Sequence, residues 1–469
     1  ETSAHYPRVQ AQAVCCFVNL LEGCPKKVVE MYQDQFFHNL HSLFISAVNT
    51  LDKPGVPLVL ENALSSISKF SECLKIDFVK YYRNIVPELL TLIRSFSSTP
   101  HPKYYIISLE TLSSILLAVG SKECIHELDS VLEILKSFEI KSIKPTENDK
   151  NYHLDYLEIM SSIAEVFGDS FSPILPTLIP VLLELVSVPI ENQIISSSIK
   201  TESSDSNTLT RAFSAHTDAI NDKNKACLIL QKLIKNLKAS MSNYIDDICN
   251  VTIKNFLECY DEDIQCTACD TFPLILKCAQ LKATNYEVQI WPKIFQAFYT
   301  RVLKSDGILY SDIAFDAIRD CIKVLSYNAI AGEVLIKIVE MMNVEISRLI
   351  QDYGNNSPAT LHGNDTDEND LYEDDEDMDD FEDAYEENTL SSIENLTRTL
   401  FKMLKSNYIP YFSQIFPQVL SLLSCSNPIL RCGSLVILGD LIEFCPAESV
   451  QLCGQFLETI KILLEDKNS

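Results

Sequence analysis

The stretch LPTLIPVLL, residues 175–183, places a proline directly after two apolar residues inside an apolar run. The same order of two apolar residues, proline, any residue and one apolar residue recurs in YRNIVPELL (82–90), VQIWPKIF (288–295) and FSQIFPQVL (412–420). Successive prolines of this pattern stand 93, 112 and 125 residues apart. A pattern that returns in this way along a chain indicates an internal repeat.

Two polar segments interrupt the repeat. Residues 190–215 read as a polar insert and residues 355–388 as an acidic, disordered insert, because neither carries a helical period. Subtracting their 26 and 34 residues leaves proline intervals of 93, 86 and 91, or twice a period near 45. A period of about 40 to 47 residues built from helix pairs is typical of HEAT or armadillo repeats. Repeats are therefore predicted over the remaining segments, 1–189, 216–354 and 389–469.

Nine further segments show the i, i+3, i+4, i+7 apolar spacing of amphipathic helices and are predicted to be the second helices of the pairs. They are residues 8–23, 60–74, 108–120, 153–168, 225–237, 263–279, 312–326, 393–405 and 430–445. Glycine is scarce, with 11 residues in 469, which disfavours β-hairpins and glycine-rich phosphate-binding loops. The predicted fold is all-α, a right-handed α-solenoid of about nine to ten HEAT helix pairs.

The negative charge is concentrated in one window. Residues 365–387 contain fifteen acidic and no basic side chains, out of a formal net charge of −27 for the whole chain. An acidic chain disfavours direct binding to a nucleic-acid backbone and favours basic protein partners. We expect the centre of the window to be solvated and to attract such partners; its acidic residues are Asp374, Asp375, Glu376, Asp377, Asp379 and Asp380.

The sequence offers no recognisable catalytic or metal-binding motif. HExxH, GxSxG and GxxxxGK[ST] are absent, and CTAC, residues 266–269, falls within helical periodicity, so its cysteines are expected in the core. No enzyme activity, metal or cofactor is predicted. Because no apolar run approaches the roughly 18 residues of a membrane span, membrane insertion is not expected. The sixteen cysteines lie largely in apolar helical patterns, which favours a reducing, intracellular compartment.

Three stretches resemble the middle of the importin-β superfamily, and most of all its karyopherin beta-three, or importin five, branch. They are residues 8–44, 164–188 and 427–445, and the resemblance extends in the same order over the chain, including an acidic insert before SSIENLTRTLFKML (391–404). This resemblance implies a fragment of a nuclear transport receptor that is monomeric and shuttles between cytoplasm and nucleus. Expected partners are basic cargo with Lys/Arg-rich signals, phenylalanine-glycine nucleoporins, and the GTPase Ran, which the family binds mainly through N-terminal repeats not included here.

The resemblance also implies candidate cargo-binding residues on the second helices, which line the concave face in this family. Glu22 and Glu72 match positions where this branch places carboxylates that receive the lysines of localisation signals. Carboxylates one repeat apart suit an extended lysine-rich peptide, because each accepts a charge-assisted hydrogen bond. Further candidates are Asn19 for the peptide backbone and Glu110, Glu158 and Glu165 for an extension of the row. An ordinary solvated acidic surface is the alternative at each position.

Two other functional classes compete with a transport receptor. A HEAT-repeat scaffold would assemble a protein complex without a transport role, and an enzyme could carry helical repeats as an accessory. The two long inserts, one of them strongly acidic, favour the receptor over a uniform scaffold. An enzyme would require a glycine-bearing active-site segment, which this glycine-poor chain does not contain.

Overall fold

The structure of the 469-residue chain is a computed structural model that describes ten stretches of the sequence. They are residues 6–23, 25–96, 102–137, 152–188, 206–259, 261–304, 311–325, 327–330, 332–353 and 376–464. Contacts divide the chain into two compact units, Glu1–Met241 and Ser242–Ser469. In the described stretches both units consist of helices and turns, without a β-strand.

Unit 1 contains a leading helix followed by four helix pairs. Its helices are α1 (Pro7–Gly23), α2 (Lys26–Asn49), α3 (Val56–Leu74), α4 (Val79–Phe96), α5 (Pro102–Val119), α6 (Leu128–Ser137), α7 (Tyr152–Phe167), α8 (Leu175–Ser187) and α9 (Ser206–Leu237). The odd-numbered helices are the second helices of the repeats, and α1, α3, α5 and α7 each pack on the next odd-numbered one. The even-numbered helices are the first helices, of which α2 packs on α4 and α4 on α6.

Unit 2 repeats this arrangement with four helix pairs and two short helices after them. Its helices are α10 (Ile245–Glu258), α11 (Glu262–Lys282), α12 (Tyr286–Lys304), α13 (Ser311–Val324), α14 (Glu333–Tyr353), α15 (Glu376–Leu404), α16 (Ile409–Leu423), α17 (Pro428–Phe444), α18 (Pro446–Cys453) and α19 (Leu457–Leu463). The second helices α11, α13, α15 and α17 pack successively, as do the first helices α10, α12, α14 and α16. The predicted all-α fold of HEAT-type helix pairs is confirmed.

Helix formation follows the apolar periodicity and local capping. Every one of the nine predicted second helices lies on an odd-numbered helix from α1 to α17. The side chain of Asp261 accepts a hydrogen bond from the backbone N–H of Ile264 at the start of α11, and Asn427 caps α17 in the same way. The four signature prolines lie inside the first helices α4, α8, α12 and α16.

Several second helices are followed by a residue with a positive φ angle, at which the chain turns towards the next first helix. Gly120 and Gly168 hold this position after α5 and α7, with φ angles of 79° and 53°. Lysine holds it after α3, α9 and α15, at Lys75, Lys238 and Lys405. Because a side chain there costs roughly 1 to 2 kcal/mol, packing of the flanking helices must hold these lysines in place.

The core of each unit is built between neighbouring helices. In unit 2, the rings of Phe256 on α10, Phe272 on α11 and Phe298 on α12 meet edge-on with centroids 5.1 to 5.8 Å apart. Trp291 on α12 is 1% exposed, and its ring centroid lies 5.3 Å from that of Phe295 on the same helix. The contacts among the three phenylalanines join the two helices of one repeat to the first helix of the next.

The stretch Tyr152–Ser187 contains a window that is long and apolar enough to be a candidate membrane span. In the structure it is two helices, α7 and α8, joined by the 3₁₀ segment Gly168–Ile174. Helix α7 packs between α5 and α9, and α8 packs on α9. The apolar character of this stretch is therefore explained by the packing of α7 and α8 on neighbouring helices.

The helices extend further into the predicted inserts than the composition indicates. Helix α9 begins at Ser206 rather than near residue 216, and α15 begins at Glu376 rather than near residue 389. Neither added segment contains glycine or proline, and acidic residues in the first turns of α15 are favoured by the helix dipole. The expectation of disorder from 355 to 388 is therefore corrected for residues 376–388, which are helical.

Candidate functional site

Most of the predicted carboxylates lie on one surface of unit 1, formed by the second helices α3, α5 and α7. We use the term acidic row for Glu72, Glu110, Asp155, Glu158 and Glu165. Glu72 lies on α3, Glu110 on α5 and the other three on α7. Because α3 packs on α5 and α5 on α7, the row crosses three adjacent helices.

Glu72 is the half-exposed end of the row on α3. Its side chain is 48% exposed and pairs with Lys69, one turn earlier, at 3.1 Å. The hydroxyl of Ser68 donates to that of Ser114 on α5 at 2.8 Å, and both hydroxyls lie 3.5 Å from Oε1 of Glu72. The two serines thus link Glu72 to the helix that carries Glu110.

Glu110, on α5, lies between the carboxylates of α3 and α7. Partial loss of hydration raises its pKa, and the negative charges of Asp155, Glu158 and Glu72 raise it further, whereas Lys225 lowers it. Among the described residues, no Lys, Arg or His forms an ion pair with Glu110. Like charges held together by packing favour the arrival of a cation, because its charge relieves their repulsion.

Two lysines of α9 form ion pairs with the carboxylates of the row that lie on α7. The Nζ of Lys225 lies 2.9 Å from Oδ1 of Asp155 and 2.8 Å from Oε2 of Glu158. The Nζ of Lys232 lies 3.2 Å from Oε2 of Glu165. Glu158 and Glu165, predicted to receive lysines from a partner, therefore have lysine partners within the chain.

For most of the other predicted site residues, the structure does not describe the side chain. Asn19 is exposed on α1. The backbone of Glu22 belongs to α1, but its side chain lies outside the described part. In the acidic insert, Glu376, Asp377, Asp379 and Asp380 fall on the first turns of α15, with side chains outside the described part, and Asp374 and Asp375 lie outside the described residues altogether.

Unit 2 carries a second charged surface, on α11 and α13, that the sequence analysis missed. A cleft of about 720 Å³ lies between these helices and is lined by Asp270, Asp316, Arg319 and Asp320. Arg319 pairs with Asp316 at 2.6 Å and with Asp320 at 3.0 Å. Partial burial raises the pKa of Asp270, and the charge of Asp320 adds to this. The i, i+3, i+4 spacing of the charges on α13 is the signal that could have revealed it.

The two cysteines of CTAC lie beside this cleft. Cys269 is buried, and burial raises its thiol pKa well above the usual value; burial likewise raises the pKa of Cys266 to about 11. Protonated thiols of this kind are poor metal ligands and poor nucleophiles. In the part of the chain that the structure describes, no three His, Cys, Asp or Glu side chains are grouped to hold a metal ion.

A further polar contact joins α15 to α17. The Nε of Arg398 lies 3.0 and 3.1 Å from the carboxylate oxygens of Asp440. Burial raises the pKa of the nearby Glu394 to about 7, with the charge of Asp440 adding to the shift and that of Arg398 opposing it. This carboxyl lies against Gly433, where a Cβ would stand 2.6 Å from its Oε1.

The fold and these surfaces define a class of protein: an all-α, HEAT-type repeat protein whose second helices carry charged surfaces. Residues 311–425 match the family described as Importin repeat 6. The chain is 23% identical to importin subunit beta-3 of Saccharomyces cerevisiae, over 98% of this chain and 41% of that protein. It is 21% identical to a probable importin-5 homolog of Dictyostelium discoideum, over 92% of this chain and 38% of that protein.

Solved structures agree with this similarity. The crystal structure of Kap121p superposes with a TM-score of 0.74 at 19% identity, over 98% of this chain and 42% of Kap121p. Kap121p has also been solved bound to RanGTP, to Pho4p and to Nup53p. These structures share the fold of the chain, and the resemblance to importins is confirmed by the matching repeat family and by the two relatives. The chain spans about two fifths of the length of those relatives.

Proposed function

We propose that the chain is a segment of an importin-type nuclear transport receptor that binds basic cargo or basic localisation signals on the second-helix surface of unit 1. The observation that carries the proposal is the unneutralised centre of the acidic row, where Glu110 faces the charges of Glu72, Asp155 and Glu158. A lysine ammonium placed there would relieve the repulsion between these carboxylates. Its three N–H donors suit carboxylates that lie on adjacent helices.

The wider transport cycle is proposed for the longer protein of which this segment would be part. Kap121p, a similar protein of known structure, is bound in separate crystals to RanGTP, to Pho4p and to Nup53p. By analogy, we propose that Ran-GTP releases the cargo, mainly through repeats outside this segment, and that phenylalanine-glycine nucleoporins carry the receptor through the pore. It would then act without catalysing a reaction, and shuttle between cytoplasm and nucleus.

Removing the charge from the centre of the row tests cargo binding directly. In the double variant Glu72→Gln and Glu110→Gln, side-chain size is kept, and binding of a lysine-rich peptide should weaken by roughly 5- to 100-fold. The matched control changes Glu258 on α10 and Glu458 on α19, two exposed carboxylates with local lysine partners, to Gln. Calorimetry at low salt provides the affinities. Equal affinities for the double variant and the unmodified chain would refute this binding site.

A second experiment separates a receptor from a scaffold. The longer protein is used to capture basic proteins from nuclear extract, with and without Ran locked in its GTP state. A transport receptor loses its basic cargo when Ran-GTP is added, because the two bind competitively. Capture that is unaffected by Ran-GTP would instead favour a HEAT-repeat scaffold without a transport role.

A further inference from the structure

Two lysines on α9 follow the carboxylates of α7 at matching intervals. Lys225 and Lys232 are seven residues, or about two turns, apart, so they lie on the same side of α9. Lys225 pairs with both Asp155 and Glu158, and Lys232 pairs with Glu165, as described above. The Nζ of Lys232 also donates to the hydroxyl of Ser162 at 3.0 Å. The two lysines of α9 thus form ion pairs with all three carboxylates of the row that lie on α7.

The packing of α9 holds these lysines in place. Ala226, Leu230 and Leu233 lie next to the two lysines along the helix and are at most 2% exposed. Helix α9 therefore cannot swing its lysines away without breaking its apolar contacts with α7 and α8. Packing thus fixes where the two lysines start, and a partner would have to compete with their ion pairs, in which each lysine side chain is 36% exposed.

Lys225 stays charged at this position and also acts on the neighbouring repeat. Although burial lowers its pKa, hydrogen bonds to Glu158 and Asp155 raise it overall. Its positive charge lowers the pKa of Glu110, whose other charged neighbours are carboxylates. Among the described residues, the other four carboxylates of the row each have a lysine partner, and Glu110 has none.

We propose that Lys225 and Lys232 are internal ligands that close the acidic row at α7, so that a bound lysine-rich segment is confined to the carboxylates of α3 and α5. This inference rests on the proposed function, and it adds a rule of specificity. Lysines that would reach α7 add little affinity, because its three carboxylates are paired with lysines of a neighbouring helix, which repel them. The lysine that pairs with Glu72, Lys69, lies instead on the same helix and is 40% exposed, so a partner can compete with it. The length of basic sequence that is recognised is thereby set by the chain itself.

Peptides of two lengths test this rule. The short peptide carries enough lysines to reach Glu72 and Glu110, and two long peptides add a further pair of lysines at either its N-terminal or its C-terminal end. With the unmodified chain, we expect the short and long peptides to bind with the same affinity. In the double variant Lys225→Met and Lys232→Met, one of the long peptides should bind about 5- to 30-fold more tightly than the short one. Met keeps much of the side-chain length, and the freed carboxylates are 39%, 55% and 46% exposed, so the fold should persist.

The matched control removes the same charge elsewhere. Lys254 and Lys461 are exposed lysines paired with a glutamate on their own helix, and both are changed to Met. If the gain for the long peptide appears equally in this control, net charge explains it and the proposal is overturned. It is also overturned if a long peptide already binds the unmodified chain more tightly than the short one, or if the lysine variant shows no gain. Failure of every peptide to bind the unmodified chain would instead refute the proposed function, and this inference with it.

Discussion

Glutamates of the second helices occupy three different environments, although they look alike in the sequence. Glu110 lies among other carboxylates, Glu158 is paired with a lysine, and Glu394 has lost much of its hydration. Each environment has its own consequence for protons and ligands. A carboxylate among carboxylates attracts a cation, a paired one is occupied, and a buried one binds a proton more readily.

Glu394 makes the stability of unit 2 dependent on pH. Its pKa is about 7 in the folded chain, against an ordinary value of 4.5 that applies when the chain is unfolded. Because the folded pKa is raised, this contribution to stability is fully present below pH 4.5 and is lost as the pH rises to about 7. The change Glu394→Gln should remove roughly 1 to 3 kcal/mol of this pH dependence.

Urea denaturation between pH 5 and 8 provides the measurement. The difference in unfolding free energy between the variant and the unmodified chain should shift in favour of the variant as the pH rises. Glu443, an exposed carboxylate on α17, serves as the control when it is changed to Gln. Parallel pH profiles for the unmodified chain and Glu394→Gln would show that this carboxyl is not responsible.

At the scale of elements, the approach of α17 to α15 depends on one glycine. A Cβ at Gly433 would stand 2.2 Å from Cδ2 of Leu390, closer than real side chains come. Gly439 lies on the same helix, where a Cβ would meet nothing within 4 Å. The two glycines therefore separate the effect of packing from that of helix propensity.

We expect Gly433→Ala and Gly439→Ala to have opposite effects. Gly433→Ala forces α15 and α17 apart and should lower the free energy of unfolding by roughly 1 to 3 kcal/mol. Gly439→Ala should raise it by up to about 1 kcal/mol, because alanine restricts the unfolded chain and favours the helix. Chemical denaturation followed by circular dichroism gives both values. A stabilising effect of Gly433→Ala would contradict the close packing of these helices.

At the scale of the whole molecule, the acidic window contributes fifteen of the 27 excess negative charges of the chain. A field of this size acts over about a Debye length in physiological salt, so it affects the approach of a basic partner more than its final contacts. Residues 376–387 of the window form the beginning of α15, so the acidic side chains there belong to a helix. We propose that the window speeds capture of basic cargo.

Neutralising the six central acidic residues, Asp374, Asp375, Glu376, Asp377, Asp379 and Asp380, tests this role. With Asn and Gln in their place, the association rate of a basic cargo at low salt should fall by about 2- to 10-fold, because electrostatic steering is reduced. The dissociation rate and the melting temperature should change little. Stopped-flow measurements at low and high salt separate the two rates.

A scrambled window of the same composition provides the control for this prediction. The scrambled chain keeps every charge, so its association rate should match that of the unmodified chain. If neutralisation leaves the association rate and its salt dependence unchanged, the window is a spacer and takes no part in capture.

The amino-acid sequence by itself determined the repeat architecture. Proline spacing and apolar periodicity predicted the period, the nine second helices and the all-α fold, because a helical repeat is stabilised mainly by patterns within it and by its nearest neighbours. The beginnings of α9 and α15 were predicted too late, since a polar or acidic composition does not by itself prevent a helix that lacks glycine and proline.

Only the tertiary structure decided which side chains face one another across neighbouring helices. Lys225 meets Asp155, 70 residues earlier in the chain, and Arg398 meets Asp440, 42 residues later. Side chains on a helix turn by about 100° per residue, so a small rotation of one helix against the next changes every such pair. Periodicity identifies the face of a helix, whereas packing decides whether an acidic residue on that face remains available or already has a lysine partner.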